Sequence, residues 1–372
     1  MKKVLMLADA NNPHVIKWVN GLLSKGFSVS LFSLTRCNHD NFAVNAIFNI
    51  VCFDFDINTN RKNEGNISKL KYLKVLAHLR RYINEVKPDI LHSHYASSYG
   101  LLGALSGFHP YVISVWGDDV FEFPRKSILH KSLLKFNLLK SDCILSTSNV
   151  MLKETKKYTS KNILVTPFGI DLDFFKPLVV DSVFDKHDIV IGTVKTLEDK
   201  YGVEYLIRAF KILTDRNPTS PLKLLIVGVG SQEEYLKKLV SELGLNNHAI
   251  FTGRVDYSKV PYYQNMLDVS VSVSTSDGES FGVAVIEASA CEVPVVVSNV
   301  GGLPEVVVNN ETGFVVNPRS AEQTANAIEK LIQNIDLRIE FGRNGRDRVR
   351  RLYNWVENLD LMVEIYDKVI NK

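Results

Sequence analysis

Short apolar runs alternate with longer amphipathic ones along most of the chain. In the first half, Lys2–Ala8, Phe27–Leu34, Ile90–Tyr95, Tyr111–Val115, Asp142–Ser146 and Ile163–Thr166 are compact apolar runs that predict strands. Val15–Ser24, Ile67–Val86, Arg125–Lys140 and Val150–Tyr158 carry apolar residues at helical spacing. The second half repeats the scheme. Strands are predicted at Asp188–Val194, Leu222–Val227, Ile250–Val255, Val269–Val273, Val295–Ser298 and Gly313–Val316. Helices are predicted at Glu204–Leu213, Val283–Ala290, 321–350 and Tyr353–Ile370. Strand–helix–strand alternation of this kind predicts an α/β fold, doubly wound in character. Residues 54–66 are polar and read as a loop.

At 372 residues the chain has room for two domains. The passage Pro167–Pro177, PFGIDLDFFKP, divides it, with Gly169 giving flexibility and Pro177 a rigid exit. The expected domains are 1–170 and 178–352, followed by a helix at about 353–372. Apolar content of 45% and charged content of 23% are ordinary for a globular protein. No run reaches the 18 or so apolar residues that cross a bilayer. The opening MKKVLMLADA has too short an apolar core for a signal peptide and reads as the first strand. Cys37, Cys52, Cys143 and Cys291 are scattered without metal-type spacing, which predicts a reducing, cytoplasmic setting.

Charge changes the picture. The net charge of +3 conceals an asymmetry: residues 1–175 hold 22 basic and 14 acidic residues (+8), the rest 22 and 27 (−5). The helix Arg125–Lys140 has five Lys or Arg and no acid, interleaved with Ile128, Leu129, Leu133, Phe136, Leu138 and Leu139. Two readings stand for it: an amphipathic helix on an anionic membrane surface, or a helix packed on its own sheet with snorkelling lysines. Nucleic acid is not expected as a partner, since no stacking aromatics accompany the charges.

Candidate chemistry gathers where strands end. Ser274–Pro294, STSDGESFGVAVIEASACEVP, reads as the exit of a buried strand, a polar loop and a helix. Such a loop lies at the carboxyl edge of the sheet, where α/β proteins bind ligands. The helix start offers unpaired amides and a positive dipole end to a phosphate. Glu279 and Glu287 bracket that start, about 12 Å apart along the axis if the segment is helical throughout. Lys195 and Lys200 follow another strand, in the loop that leads into the helix Glu204–Leu213. Asn11, Asn12 and His14 follow the first strand, where the absence of G-x-G-x-x-G argues against a nicotinamide cofactor. His92 and His94 end a strand, two apart and so on one face. His94 is the candidate for contacting substrate hydroxyls; for His92 a structural role stands equally. Trp116-Gly117-Asp118-Asp119 follows the next strand, with Asp118 or Asp119 as a hydroxyl ligand. No metal site is expected.

The stretch E-SFGVAVI-E-A, continued by CEVPVVVSNVGGLPEVV and ETGFVV, resembles the signature of glycosyltransferase family 4. PDILHSHYASSYGLLGALSG, Lys195–Gly202 and PFGIDLDFFKP are similar to further family segments. The resemblance implies a GT-B fold: two Rossmann-like domains facing across a cleft, with a C-terminal helix crossing back to the first. It implies retaining transfer of a sugar from a UDP-, GDP- or similar nucleotide-sugar, with no cofactor required. Glu287 would bind the ribose hydroxyls and Glu279 the donor sugar. Ser280, Phe281, Gly282 and Val283 would meet the phosphate, Lys195 and Lys200 would neutralise the diphosphate, and Gly228, Arg254 and Val255 would edge the nucleotide pocket. Asn12 and His14 would lie on the acceptor side. Lys195 stands where the family carries Arg, and Trp116 where many members carry His. The implied acceptor is a glycan or lipid-linked glycan in bacterial surface polysaccharide synthesis, such as lipopolysaccharide, capsule or exopolysaccharide, at the inner face of the plasma membrane. The rival readings are a nucleotide-sugar epimerase, a soluble disaccharide synthase and an inactive nucleotide-sugar-binding scaffold.

Overall fold

The computed structural model describes residues 1–36, 42, 47–53, 67–217 and 219–372, with only the backbone course given for 67–73. The polar stretch 54–66 and Cys37 lie outside the described residues. The chain divides into two compact units, Met1–Pro167 with Glu357–Lys372, and Phe168–Val356.

The first unit is built on a parallel sheet of β1 (Lys3–Leu7), β2 (Ser28–Ser33), β3 (Phe48–Cys52), β4 (Ile90–His94), β5 (Tyr111–Val115), β6 (Cys143–Ser146) and β7 (Ile163–Val165). The order across the sheet is β3-β2-β1-β4-β5-β6-β7, with Val4 opposite Ile90 where β1 meets β4. The central strands β4 and β5 are wholly buried, the polar His92, Ser93, His94 and Ser114 included. Leu7, Phe32, Leu91, Ile113, Leu134 and Leu138 belong to the core that the helices close over the sheet. Strand β3 was not expected from the sequence. It is an edge strand with Asn49 exposed and no fully buried residue, so its apolar signal is weak.

The second unit carries β8 (Ile189–Val194), β9 (Leu222–Val227), β10 (Ala249–Gly253), β11 (Val269–Ser272), β12 (Val295–Ser298) and β13 (Gly313–Val316), all parallel. Their order is β10-β9-β8-β11-β12-β13. Ile191, Phe210, Leu224, Val269 and Ile328 lie in its core.

The last helix begins at Trp355 rather than Tyr353, because the preceding residues pair with the passage that opens the second unit. Ile170 N–H donates to the Tyr353 carbonyl at 2.6 Å and Trp355 N–H to the Ile170 carbonyl at 3.0 Å. From Glu357 on, the helix belongs to the first unit. There Tyr366 is buried and its hydroxyl lies 2.6 Å from His92 Nδ1, while Lys2 and Lys25 pair with Asp367 and Asp360.

Candidate active site

In each sheet the strand order reverses at one point, between β1 and β4 and between β8 and β11. Loops leaving neighbouring strands there diverge to opposite faces and open a crevice at the carboxyl edge. In the second unit these are the loops after β8 and β11. Lys195 is the first residue past β8, held by its N–H on the Val227 carbonyl at 2.9 Å. Its ammonium pairs with Glu279 Oε2 from the loop after β11, and only 10% and 11% of the two side chains is exposed. Burying such a pair is favourable only when further contacts offset desolvation. Ser274 Oγ supplies one, donating to the same carboxylate oxygen at 3.3 Å. The Tyr201 ring supplies another, 4.1 Å from Lys195 Nζ and 5.5 Å from Lys200 Nζ. The Lys200 carbonyl accepts the Thr275 N–H at 2.8 Å, so the two loops are joined through their backbones.

Glycines let these backbones approach. A Cβ on Gly301 would lie 2.0 Å from the Glu279 carbonyl oxygen, and one on Gly302 2.4 Å from that of Ser280. The Gly-Gly of GGLPE therefore presses the Glu279 loop into shape, and Gly302 N–H bonds the Glu279 carbonyl at 2.8 Å. Gly228 has φ +136°, and its Cβ would sit 2.0 Å from the Lys195 carbonyl oxygen. Its position after β9 is fixed by that approach.

The helix Val283–Ala290 starts at Gly282, which is left-handed and gives no side-chain cap. The Gly282 carbonyl accepts the N–H of Val285 at 3.0 Å and of Ile286 at 3.3 Å, and the amides of Val283 and Ala284 precede these first bonds of the helix. Because Glu279 precedes this start in a loop, the axial spacing expected for a continuous helix does not apply between Glu279 and Glu287. Glu287 is buried on the helix, and Tyr257 Oη donates to its Oε1 at 3.4 Å. Arg254 and Val255 lie just past β10, an edge strand. Just before them the Gly253 carbonyl accepts the Gly228 N–H at 3.1 Å, and just after them the Tyr257 ring lies against Phe174 and Phe175 at 5.6 and 6.0 Å.

At the reversal point of the first unit, Asn12 caps the helix Pro13–Ser24, accepting the His14 N–H at 2.9 Å. The Trp116 ring lies 4.7 Å from His94 and 6.1 Å from His14. His92 and His94 share one face of β4 with rings 4.3 Å apart, but their surroundings differ. His92 is bonded on both nitrogens, by Tyr366 Oη and by Ser114 Oγ at 2.7 Å, a structural histidine. His94 is 2% exposed, and neither ring nitrogen has a partner. Burial pushes the imidazole pKa of His14 down to about 4 and that of His92 to about 3. His94 falls well below its usual range through burial and its two histidine neighbours. The two adjacent acids also separate. Asp119 is buried and spends its carboxylate on the backbone N–H groups of Ala96 (2.7 Å), Gly117 (2.8 Å) and Trp116 (3.1 Å), so of the pair only Asp118 stays a hydroxyl candidate. Among the described residues, no three His, Cys, Asp or Glu gather as a metal site.

Residues 177–348 match the family described as "Glycosyl transferases group 1", and residues 3–148 that described as "Glycosyl transferase 4-like". The chain belongs to the group 1 glycosyltransferase family. Among relatives, the GDP-mannose-dependent alpha-(1-6)-phosphatidylinositol monomannoside mannosyltransferase of Mycobacterium tuberculosis is 32% identical over 200 residues, 51% of this chain and 51% of that protein. The chain thus spans about half the length of that relative (51%). The capsular polysaccharide biosynthesis glycosyltransferase CapM of Staphylococcus aureus is 34% identical over 45% of this chain and 43% of its own. The crystal structure of HepE from Anabaena in complex with UDP and glucose superposes with a TM-score of 0.79 at 17% identity, covering 99% of this chain and 100% of that one. That likeness gives the group 1 chain the GT-B fold.

For this group 1 member, then, Lys195, Lys200, Glu279 and the segment 280–283 come together at one reversal point, and His14, His94 and Trp116 at the other. Tyr201, Tyr257 and Ser274 complete the second-unit group; Tyr201 and Ser274 lie within the segments singled out in the sequence and Tyr257 outside them, but the sequence assigns none of the three a role. A tyrosine beside a lysine in a loop is common, and only tertiary contact distinguishes these.

Proposed function

We propose that this protein is a retaining glycosyltransferase that moves a sugar from a nucleoside diphosphate sugar to a glycan or lipid-linked acceptor. The observation that carries the reading is the meeting of Lys195, Lys200 and Glu279 at the reversal point of the second sheet. The lysines neutralise the diphosphate while Glu279 accepts hydrogen bonds from sugar hydroxyls. Glu287 holds the ribose, with Tyr257 steadying its carboxylate. The bond from the anomeric carbon to the diphosphate oxygen breaks, and the acceptor oxygen bonds that carbon from the same face. The acceptor's proton passes to the departing phosphate oxygen, so no separate base is needed. Negative charge grows on the diphosphate as the bond breaks, where fixed cations contribute most. UDP in HepE supports a nucleotide donor, and the likeness to CapM, of capsular polysaccharide biosynthesis, and to the phosphatidylinositol monomannoside mannosyltransferase supports surface-polysaccharide and lipid acceptors.

The test is a thermal-shift screen against UDP, GDP, ADP and NAD, since a ligand of the folded state raises the melting temperature by mass action. One nucleoside diphosphate should shift it selectively. A shift with NAD alone, or none at all, would sink the reading. Glu287→Ala should weaken the selected nucleotide roughly 10- to 100-fold, the loss of charge-assisted hydrogen bonds. Wild-type affinity in that variant would remove Glu287 from the ribose site.

An acceptor carried in a membrane calls for a docking face, and the helix Ile128–Lys140 supports one. Ile128, Leu129 and Leu139 are 86%, 66% and 67% exposed, beside Lys131, Lys135 and Lys140. No helix among the described residues is long and apolar enough to cross a membrane, so contact would be peripheral, on the cytoplasmic leaflet. Vesicles containing phosphatidylglycerol should sediment the protein and neutral phosphatidylcholine vesicles should not. Lys131→Glu with Lys135→Glu should weaken this by at least about tenfold. Equal binding to both vesicle types would refute the docking face.

A further inference from the structure

We propose that Tyr201 is a positioning residue, whose ring face holds the Lys195 and Lys200 ammonium groups where a diphosphate meets them. The inference rests on the reading of those lysines as diphosphate ligands. A lysine has four rotatable bonds, so fixing its ammonium costs side-chain entropy that a rigid neighbour can bear in advance. Lys195 has two such neighbours, and they differ in kind. Glu279 neutralises it, and an incoming phosphate must compete with that carboxylate. The Tyr201 ring attracts a cation through its face without cancelling its charge. It lies within 4.1 Å of one ammonium and 5.5 Å of the other. When phosphate takes Lys195 from Glu279, the ring keeps the ammonium from following the carboxylate or swinging into solvent.

The backbone that carries the ring is itself held. Tyr201 ends the short turn Asp199–Tyr201, with its N–H on the Glu198 carbonyl at 2.9 Å. Gly202 follows at φ +64°, where a Cβ would lie 2.2 Å from the Val273 carbonyl oxygen. Lys200 is tied by its carbonyl to Thr275. The turn's backbone is thus clamped against the loop that carries Glu279, which sets where the ring springs from.

The test is titration calorimetry with UDP, GDP and ADP on the full chain, carrying forward whichever binds most tightly. Tyr201→Phe keeps the ring face and should bind within about twofold of wild type. Tyr201→Leu should weaken the nucleotide about five- to tenfold, the scale of a partly desolvated cation–π contact. Tyr201→Met serves as a second ringless variant should the leucine form melt early. In a Lys195→Ala background the Tyr201→Leu loss should shrink markedly, because the two residues act through one contact. The proposal fails if the ringless variants bind as wild type does, if Phe loses as much as Leu, or if the Tyr201 and Lys195 losses simply add. A wild-type protein that binds none of the three nucleotides overturns the diphosphate reading itself, and the positioning role with it.

Discussion

Lys200→Ala should lower turnover by about 100- to 1,000-fold, the usual loss when one fixed charge partner of a developing anion is removed. In the donor the diphosphate already carries charge, so part of the lysine's attraction is spent on binding and raises KM when lost. As the glycosidic bond lengthens, more charge moves onto the nearest phosphate oxygen, so kcat falls further than affinity does. Lys195→Ala is a less clean probe of the same idea. It leaves the buried Glu279 carboxylate without its cation, which is strongly destabilising for a buried pair. That variant should lose melting temperature along with turnover. Steady-state kinetics with the donor chosen by the thermal-shift screen measures both constants. An unchanged kcat for Lys200→Ala would remove Lys200 from the reacting centre.

How much of this site the sequence carries depends on how local each feature is. Lys195 is readable because a cation directly following a buried strand must stand at the sheet's carboxyl edge. Glu279 is readable for the same reason: it sits in a polar loop between an apolar strand and an apolar helix. That the two meet in a buried ion pair is not readable, because it depends on β8 and β11 being neighbours, and the sequence does not give strand order. Tyr257 reaches Glu287 from the end of a different strand, a contact 30 residues apart that no spacing rule encodes. The Gly-Gly of GGLPE is visible as a motif, yet its cause, the closeness of Glu279 and Ser280 carbonyl oxygens, appears only in three dimensions.

The acids and histidines of the first unit teach a related point. Asp118 and Asp119 look interchangeable in the sequence, and one residue of helical rotation sends Asp119 inward to three backbone amides. His92 and His94 alternate correctly onto one face of β4, but only the return of the C-terminal helix, with Tyr366, decides that His92 is structural. Strand β3 shows the limit at the fold level, since an edge strand with half-buried residues leaves little periodic signal.

The first unit should be acid-sensitive, losing about 3 kcal/mol of stability between pH 7 and about pH 5.5. His92 is held neutral, at about 3 against an ordinary 6.5, because burial penalises the imidazolium and both nitrogens already have partners. His94 is lowered in the same direction, and so is His14, to about 4. Once unfolded, all three take protons at ordinary pH, so the unfolded state binds more protons below 6.5 and stability falls as pH falls. Each histidine costs about 1.3 kcal/mol over that window, because the full slope of about 1.4 kcal/mol per pH unit is reached only below 6.5. Asp119 works the other way. Burial raises it to about 6 from 3.8, so between those values the folded state binds the extra proton and stability rises on acidification. Its return over the same interval is under about 1 kcal/mol, because the folded carboxyl takes up its proton only as the pH passes about 6, and the three histidines prevail. Urea unfolding at the two pH values measures the difference, followed by circular dichroism and the fluorescence of Trp116, which lies against His94. His94→Gln should remove about 1.3 kcal/mol of that loss, since glutamine cannot gain the proton. Stability that stays level or rises toward pH 5.5 would mean that His14, His92 and His94 are not held neutral in the folded protein.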